Sequence, residues 1–188
     1  MKENDLILVT DMQCVYLKGE KWACRDTEGA AANILKIISL KEKNFPSAAI
    51  IFTRFIASEN PRGAWISYNE AYADVNDNPG LNEIVPSLKE VSEKYPLYDK
   101  QVYSSLSVPE IREKALKADR VVLTGVVSEC CVLSTAFSLI DLGQPIIWLT
   151  DGVSGLDKEK EDGATLMLKG LSPVHTSIMT VAEYLSES

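Results

Sequence analysis

Short apolar runs alternate with amphipathic stretches along the whole chain. Residues 5–10 (DLILVT) form a continuous β-rich run; 48–54 (AAIIFTR), 120–124 (RVVLT) and 145–150 (PIIWLT) are runs of the same kind. Residues 174–179 read as a last strand, and Leu97-Tyr98-Asp99 as a short extended piece before Lys100. Runs without in–out alternation suit the strands of a parallel sheet covered on both faces. Between them, residues 26–43 carry Ile34, Ile37, Ile38 and Lys41 at helical spacing, with the lysine expected at the rim. Ser107-Val108-Pro109-Glu110 predicts a helix start, with serine at the cap, and the helix runs to about residue 118. Residues 129–142 and 157–169 are further helices, ended by Gly143 and Gly170. Trp65, Tyr68 and Tyr72 recur at i, i+3, i+7 and predict a short helix. Residues 76–98, turn-rich and interrupted by Pro86 and Pro96, are expected to be mostly loop with short helical pieces facing a ligand. With no repeat and no linker, the pattern predicts one domain over residues 1–188, a three-layer α/β/α fold.

Composition narrows the partners. At 188 residues, 46% hydrophobic and 24% charged, the chain has the material for a packed core. Its net charge of −8 opposes nucleic acid and anionic membrane surfaces, and Lys and Arg are scattered. No apolar run approaches the ~18–20 residues of a membrane span. The opening MKENDLILVTD enters a strand with no cleavage signal, and the cysteines (Cys14, Cys24, Cys130, Cys131) suit a reducing compartment; a cytoplasmic protein is expected. Those cysteines lack zinc-site spacing, and a single histidine, His175, cannot build a histidine-rich metal centre. No metal and no cofactor are therefore expected.

In open parallel sheets, ligands bind beyond the carboxyl ends of the strands. The residues just past predicted strand ends are Asp11, Arg54, Lys100, the segment 125–131 and Asp151. Residues 124–131 (TGVVSECC) read as strand, turn and helix start, where the macrodipole favours a thiolate and backbone N–H groups can stabilise an oxyanion. Cys130 and Cys131 compete for that role on the same local logic, and plain core packing is the alternative for both. Asp11 could be a turn residue and Lys100 a solvated surface lysine. If a thiol is catalytic it needs a proton acceptor. His175 lies near the last strand and reads as structural, which leaves the carboxylate of Asp11. A phosphatase loop, G-x-G-x-x-G, a phosphate-binding G-x-x-x-x-G-K and G-x-S-x-G are all absent.

Three ordered segments carry a resemblance. Residues 6–13 (LILVTDMQ), 100–106 (KQVYSSL) and 125–136 (GVVSECCVLSTA) resemble the aspartate, lysine and cysteine segments of isochorismatase-like hydrolases, with Thr53-Arg54-Phe55 and Gly63-Ala64-Trp65 in the right order between them. The resemblance covers nearly the whole chain. It implies the Rossmann-like isochorismatase-like hydrolase fold, with a six-stranded parallel sheet, homo-oligomers (a dimer or tetramer) and a cis peptide at Val126–Val127. It implies a catalytic Asp11, Lys100 and Cys131, the Cys-Val pair placing the nucleophile at Cys131. It also implies an oxyanion hole made by the amides of Val127 and Cys131.

Gln13, Arg54, Phe55, Trp65 and Tyr103 are the candidates for substrate contact, with Arg54 suited to gripping a carboxylate. Relatives that act on nicotinamide carry an Asp-x-His motif where this chain has Thr53-Arg54-Phe55, which disfavours a metal-dependent enzyme of that type. Retention of the cysteine favours hydrolysis of a C–N bond in a small amide or carbamoyl substrate through a thioester. A vinyl-ether hydrolase acting on isochorismate and a non-catalytic metabolite-binding member are the alternatives.

Overall fold

The computed structural model describes residues 1–45 and 49–187. Strands β1 (Asp5–Thr10), β2 (Ile50–Phe55), β3 (Leu97–Lys100), β4 (Arg120–Val126), β5 (Ile146–Ser154) and β6 (Thr176–Met179) form one sheet in the order β3-β2-β1-β4-β5-β6, and every pairing is parallel. The chain works outward through β1, β2 and β3, then returns to place β4 on the other side of β1. That reversal opens a crevice at the carboxyl ends of β1 and β4.

The apolar runs are explained by burial on both faces. Leu6, Leu8, Val121, Leu123 and Trp148 pack on one side with α6 (Pro109–Lys117), α7 (Leu133–Asp141) and α8 (Lys158–Lys169). Ile7, Val9, Phe52, Val122 and Leu149 face α1 (Thr27–Asn44) and α9 (Val181–Ser186). Each such side chain contributes about 1.5–3 kcal/mol when removed from water. Gly125 (φ +99°) passes so close to the Thr10 backbone that a β-carbon there would overlap it, so only glycine lets β4 pair with the end of β1.

Several local expectations need correction. Ala48, placed in the second strand, lies outside the described residues. Lys41 is fully buried on the inner face of α1, its ammonium donating to the carbonyls of Lys2 and Glu3. Ser107 does not cap α6: Val108 holds the cap position, and the Ser107 hydroxyl donates back to the Ser104 carbonyl. Asp151 does not follow β5 but lies within it, where its carboxylate accepts the Val181 N–H at 2.7 Å and anchors α9. The helix expected from residue 129 opens as a π-helical turn, Ser128–Val132, before α7. The short helix expected around Trp65, Tyr68 and Tyr72 is α2 (Ala64–Ala71), followed by α3 (Ala73–Asn76), and the short helical pieces expected within residues 76–98 are α4 (Pro79–Asn82) and α5 (Pro86–Ser92). The cis peptide at Val126–Val127 is present. Among the described residues no helix is long and apolar enough to cross a membrane.

Candidate active site

Asp11 follows β1 directly and takes a left-handed conformation (φ 49°), which short polar side chains tolerate better than bulky ones. Its N–H donates to the Thr53 carbonyl at 3.1 Å, and its Oδ1 accepts the Thr53 hydroxyl at 2.7 Å. Lys100 ends β3, two strands away, and brings its Nζ to 2.6 Å from Asp11 Oδ2. Neither side chain is exposed to solvent. The ammonium also donates to the Val102 carbonyl at 3.1 Å. Burial alone would draw the Lys100 pKa down; the Asp11 carboxylate, joined by Cys131 once that thiol ionises, more than offsets this and holds it above its ordinary value, so the lysine is cationic.

Cys131 sits in the π-helical turn, where Asp11 and Lys100 both act on its thiol. Its carbonyl accepts the Thr135 hydroxyl at 2.7 Å. Burial, and after it the Asp11 carboxylate, push the Cys131 pKa well above 9.0, with Lys100 opposing. The expected resting thiolate is thereby corrected: desolvation of a residue 3% exposed outweighs the helix dipole, and the sulfur carries its proton at neutral pH. Cys130 is raised by burial and Glu129, and neither Asp11 nor Lys100 figures among its influences. The surroundings thus differ for two cysteines that local position in the sequence left level, and Cys131, which the resemblance favours, is the one beside Asp11 and Lys100. His175 precedes β6, at the opposite end of the sheet, and is exposed.

Beyond Cys131 lies a pocket of about 200 Å³, walled by Tyr16, Trp22, Tyr68, Tyr72 and Tyr103 with Val127, Cys130 and Leu156. Of the expected substrate contacts, Tyr103 lines it. Trp65 packs behind Tyr68 and Tyr103, and Phe55 packs behind Trp22 and Tyr68. Two others are engaged elsewhere in the fold. Gln13 is buried, with its amide N–H groups donating to the Phe55 and Asn82 carbonyls (3.1 Å each) and its oxygen accepting the Phe55 N–H (2.8 Å). It clamps the end of β2 and has no donor left for substrate. Arg54 alternates away from Thr53 and Phe55 and pairs bidentately with Asp99, its register partner on β3, at 2.8 and 3.0 Å. Strand alternation explains this: Thr53 faces Asp11, so Arg54 must face the opposite layer.

Sequence reasoning missed Thr53 as the support for Asp11, although the same alternation on β2 carries the signal. Tyr16, Trp22 and the Glu129–Leu156 contact were also missed, because each depends on loops meeting from distant parts of the chain. The Glu129 carboxylate accepts the Ser128 hydroxyl (2.9 Å) and the Leu156 N–H (3.1 Å), docking the loop after β5 onto the cysteine turn.

An all-parallel sheet with a buried carboxylate, lysine and thiol at its switch point suits a hydrolase. The isochorismatase domain profile matches residues 5–183, and the chain belongs to the isochorismatase family. Its fold is similar to an isochorismatase-like hydrolase from Alkaliphilus metalliredigens (21% identity, 98% of each chain covered, TM-score 0.75). It is also similar to a cysteine hydrolase from Pseudomonas syringae pv. phaseolicola 1448A (18% identity, 97% of this chain and 91% of that one, TM-score 0.78). A pyrazinamidase/nicotinamidase from Streptococcus mutans UA159 shares the fold as well (21% identity, 93% and 99%, TM-score 0.71). No curated protein matches the sequence.

Proposed function

We propose that the chain hydrolyses a C–N bond in a small amide or carbamoyl substrate, with Cys131 as nucleophile, Asp11 as proton carrier and Lys100 as electrostatic support. The observation that carries this reading is the placement of the Cys131 thiol, beneath a pocket, under the influence of a buried carboxylate–ammonium pair. As sulfur attacks the carbonyl carbon, the thiol proton passes to Asp11, and the Val127 and Cys131 N–H groups stabilise the oxyanion. Asp11 returns that proton to the departing nitrogen, the C–N bond breaks and a thioester remains. Water then attacks the thioester, giving a proton to Asp11, and the sulfur leaves and is reprotonated as the acid departs. Lys100 keeps its charge throughout and holds Asp11 in place.

Isochorismate fits the pocket poorly. It is a dicarboxylate, and the pocket lining includes no arginine or lysine. The test is a screen of small primary amides, ureido acids and isochorismate for release of ammonia or acid, with Cys131→Ala in parallel and mass spectrometry of acid-quenched enzyme for a thioester. Turnover that survives Cys131→Ala refutes the mechanism.

A further inference from the structure

The shape and charge of the pocket say more about what enters it. Neighbouring wall rings meet at mixed angles: 89° for Tyr68 with Tyr103, 76° for Trp22 with Tyr72, 53° for Tyr68 with Tyr72, 42° for Trp22 with Tyr68 and 33° for Tyr16 with Trp22. Rings of such mixed tilt, with centroids 4.7–6.5 Å apart, make a rounded aromatic box, whereas a flat ligand calls for two parallel walls. The negative faces of aromatic rings attract cations, and a compact alkylammonium group fills such a box.

The surroundings agree in sign. With no arginine or lysine in the lining, and Lys100 committed to Asp11, the pocket offers no cationic side chain to an anion. Glu129 accepts the N–H of Leu156 and its negative charge acts on Cys130, two residues that line the pocket, so the carboxylate beside the wall also favours a cation. The aromatic cluster already holds cations at its edges. The Lys21 ammonium lies 5.4 Å from the Tyr72 ring centre, neutralised by Asp74, and that of Lys100 lies 5.7 Å from the Phe55 ring centre.

We propose that the substrate's non-reacting end is a small alkylammonium group held in this aromatic box, next to the carbonyl that Cys131 attacks. The inference rests on the hydrolase reading for the word substrate, but the box can be tested without turnover. Choline and its uncharged isostere 3,3-dimethylbutan-1-ol are titrated against the wild-type chain, following tryptophan fluorescence, which Trp22 in the wall should report. Choline is expected to bind about tenfold or more tightly than the isostere. Tyr103→Leu should erode that preference and Tyr103→Phe should keep it; Tyr103 is partly exposed, so both variants are expected to fold. Equal affinity for the two probes overturns the proposal, as does benzamide binding where choline does not. Turnover is compared separately on trimethylammonioacetamide and neutral 3,3-dimethylbutanamide. Equal cleavage of both overturns the box and leaves the hydrolase standing. Selective choline binding with neither amide cleaved upholds the box and counts against the hydrolase reading.

Discussion

Lys100 and Asp11 form an ion pair at 2.6 Å in which neither side chain touches solvent. Such a pair is costly to assemble and costlier to break, because removing one partner strands the other charge in a dry site. Asp11→Asn and Lys100→Met should each destabilise the protein by about 3–5 kcal/mol. The double variant should cost less than the two losses added together, since it leaves no orphaned charge. Urea unfolding of all four proteins reads this directly; strict additivity would show that the pair is not coupled.

The raised pKa values of Cys131 and Lys100 set the sign of a pH dependence. A group whose folded pKa is raised holds its proton more tightly when folded, so its stabilisation is complete below the unfolded pKa and fades as pH climbs toward the folded one. For Cys131 the loss begins near its ordinary 9.0, and for Lys100 near 10.5. Stability should therefore fall above pH 9, and Cys131→Ala should lessen the fall between pH 8 and 10. Cys24 and Cys130 add terms of the same sign, so the informative quantity is the difference between variant and wild type. Identical slopes in the two proteins would contradict the assignment.

Gln13 joins Phe55 and Asn82 through three hydrogen bonds, and Gln13→Leu removes all of them in a buried setting. A loss of about 1–3 kcal/mol is expected for each buried polar group left unpaired. The melting temperature should drop for this variant. If Gln13 instead contacted substrate, stability would hold and KM would rise.

Arg54→Lys gives the contrasting case. The Arg54–Asp99 pair is bidentate but partly exposed (24% and 47%), and pairs of that kind contribute about 0–1 kcal/mol. Replacing the fork with a point charge should change stability by no more than that amount and leave KM for any substrate, anionic or neutral, within about twofold. A selective rise in KM for anionic amides would return Arg54 to the substrate site.

What was legible in the sequence was whatever depends on local pattern. Runs such as LILVT and IIWLT declared buried strands, so the sheet and its carboxyl-edge residues Asp11, Lys100 and Cys131 could be placed in advance. What was not legible depends on which way a side chain turns and what meets it. Arg54 follows the same strand as Thr53, and only the pleat sends one toward Asp11 and the other toward Asp99. Lys41 occupies a helical core position and reaches backbone carbonyls near the chain's start, a satisfaction that no periodicity reveals. The thiol state of Cys131 turned on burial, a global property, against a dipole argument that is local. The aromatic box draws on the loop after β1, on α2 and its end, and on the segment after β3, so no single stretch of sequence displays it.

Thr53 offers the sharpest test of how Asp11 is held. Its hydroxyl donates to Asp11 Oδ1 at 2.7 Å while its carbonyl accepts the Asp11 N–H at 3.1 Å, so one residue fixes both the backbone and the carboxylate. Thr53→Val keeps the shape, the strand propensity and the bond to the Thr53 carbonyl, and removes only the hydroxyl, which donates to the carboxylate and also accepts the Asp11 N–H at 3.3 Å. The lost bond to a charged group in a buried site should lower stability by about 1.5–3 kcal/mol. Because the carboxylate then has one fewer contact fixing its rotation toward the thiol, kcat should fall about tenfold while KM stays nearly constant, as expected for an interaction that matters in the transition state and not in substrate binding. Thr53→Ser, which restores the hydroxyl but not the methyl, should recover most of kcat and little of the packing. That dissociation of activity from stability is the outcome a purely structural threonine could not produce. If kcat instead follows the melting temperature across both variants, Thr53 is only part of the core.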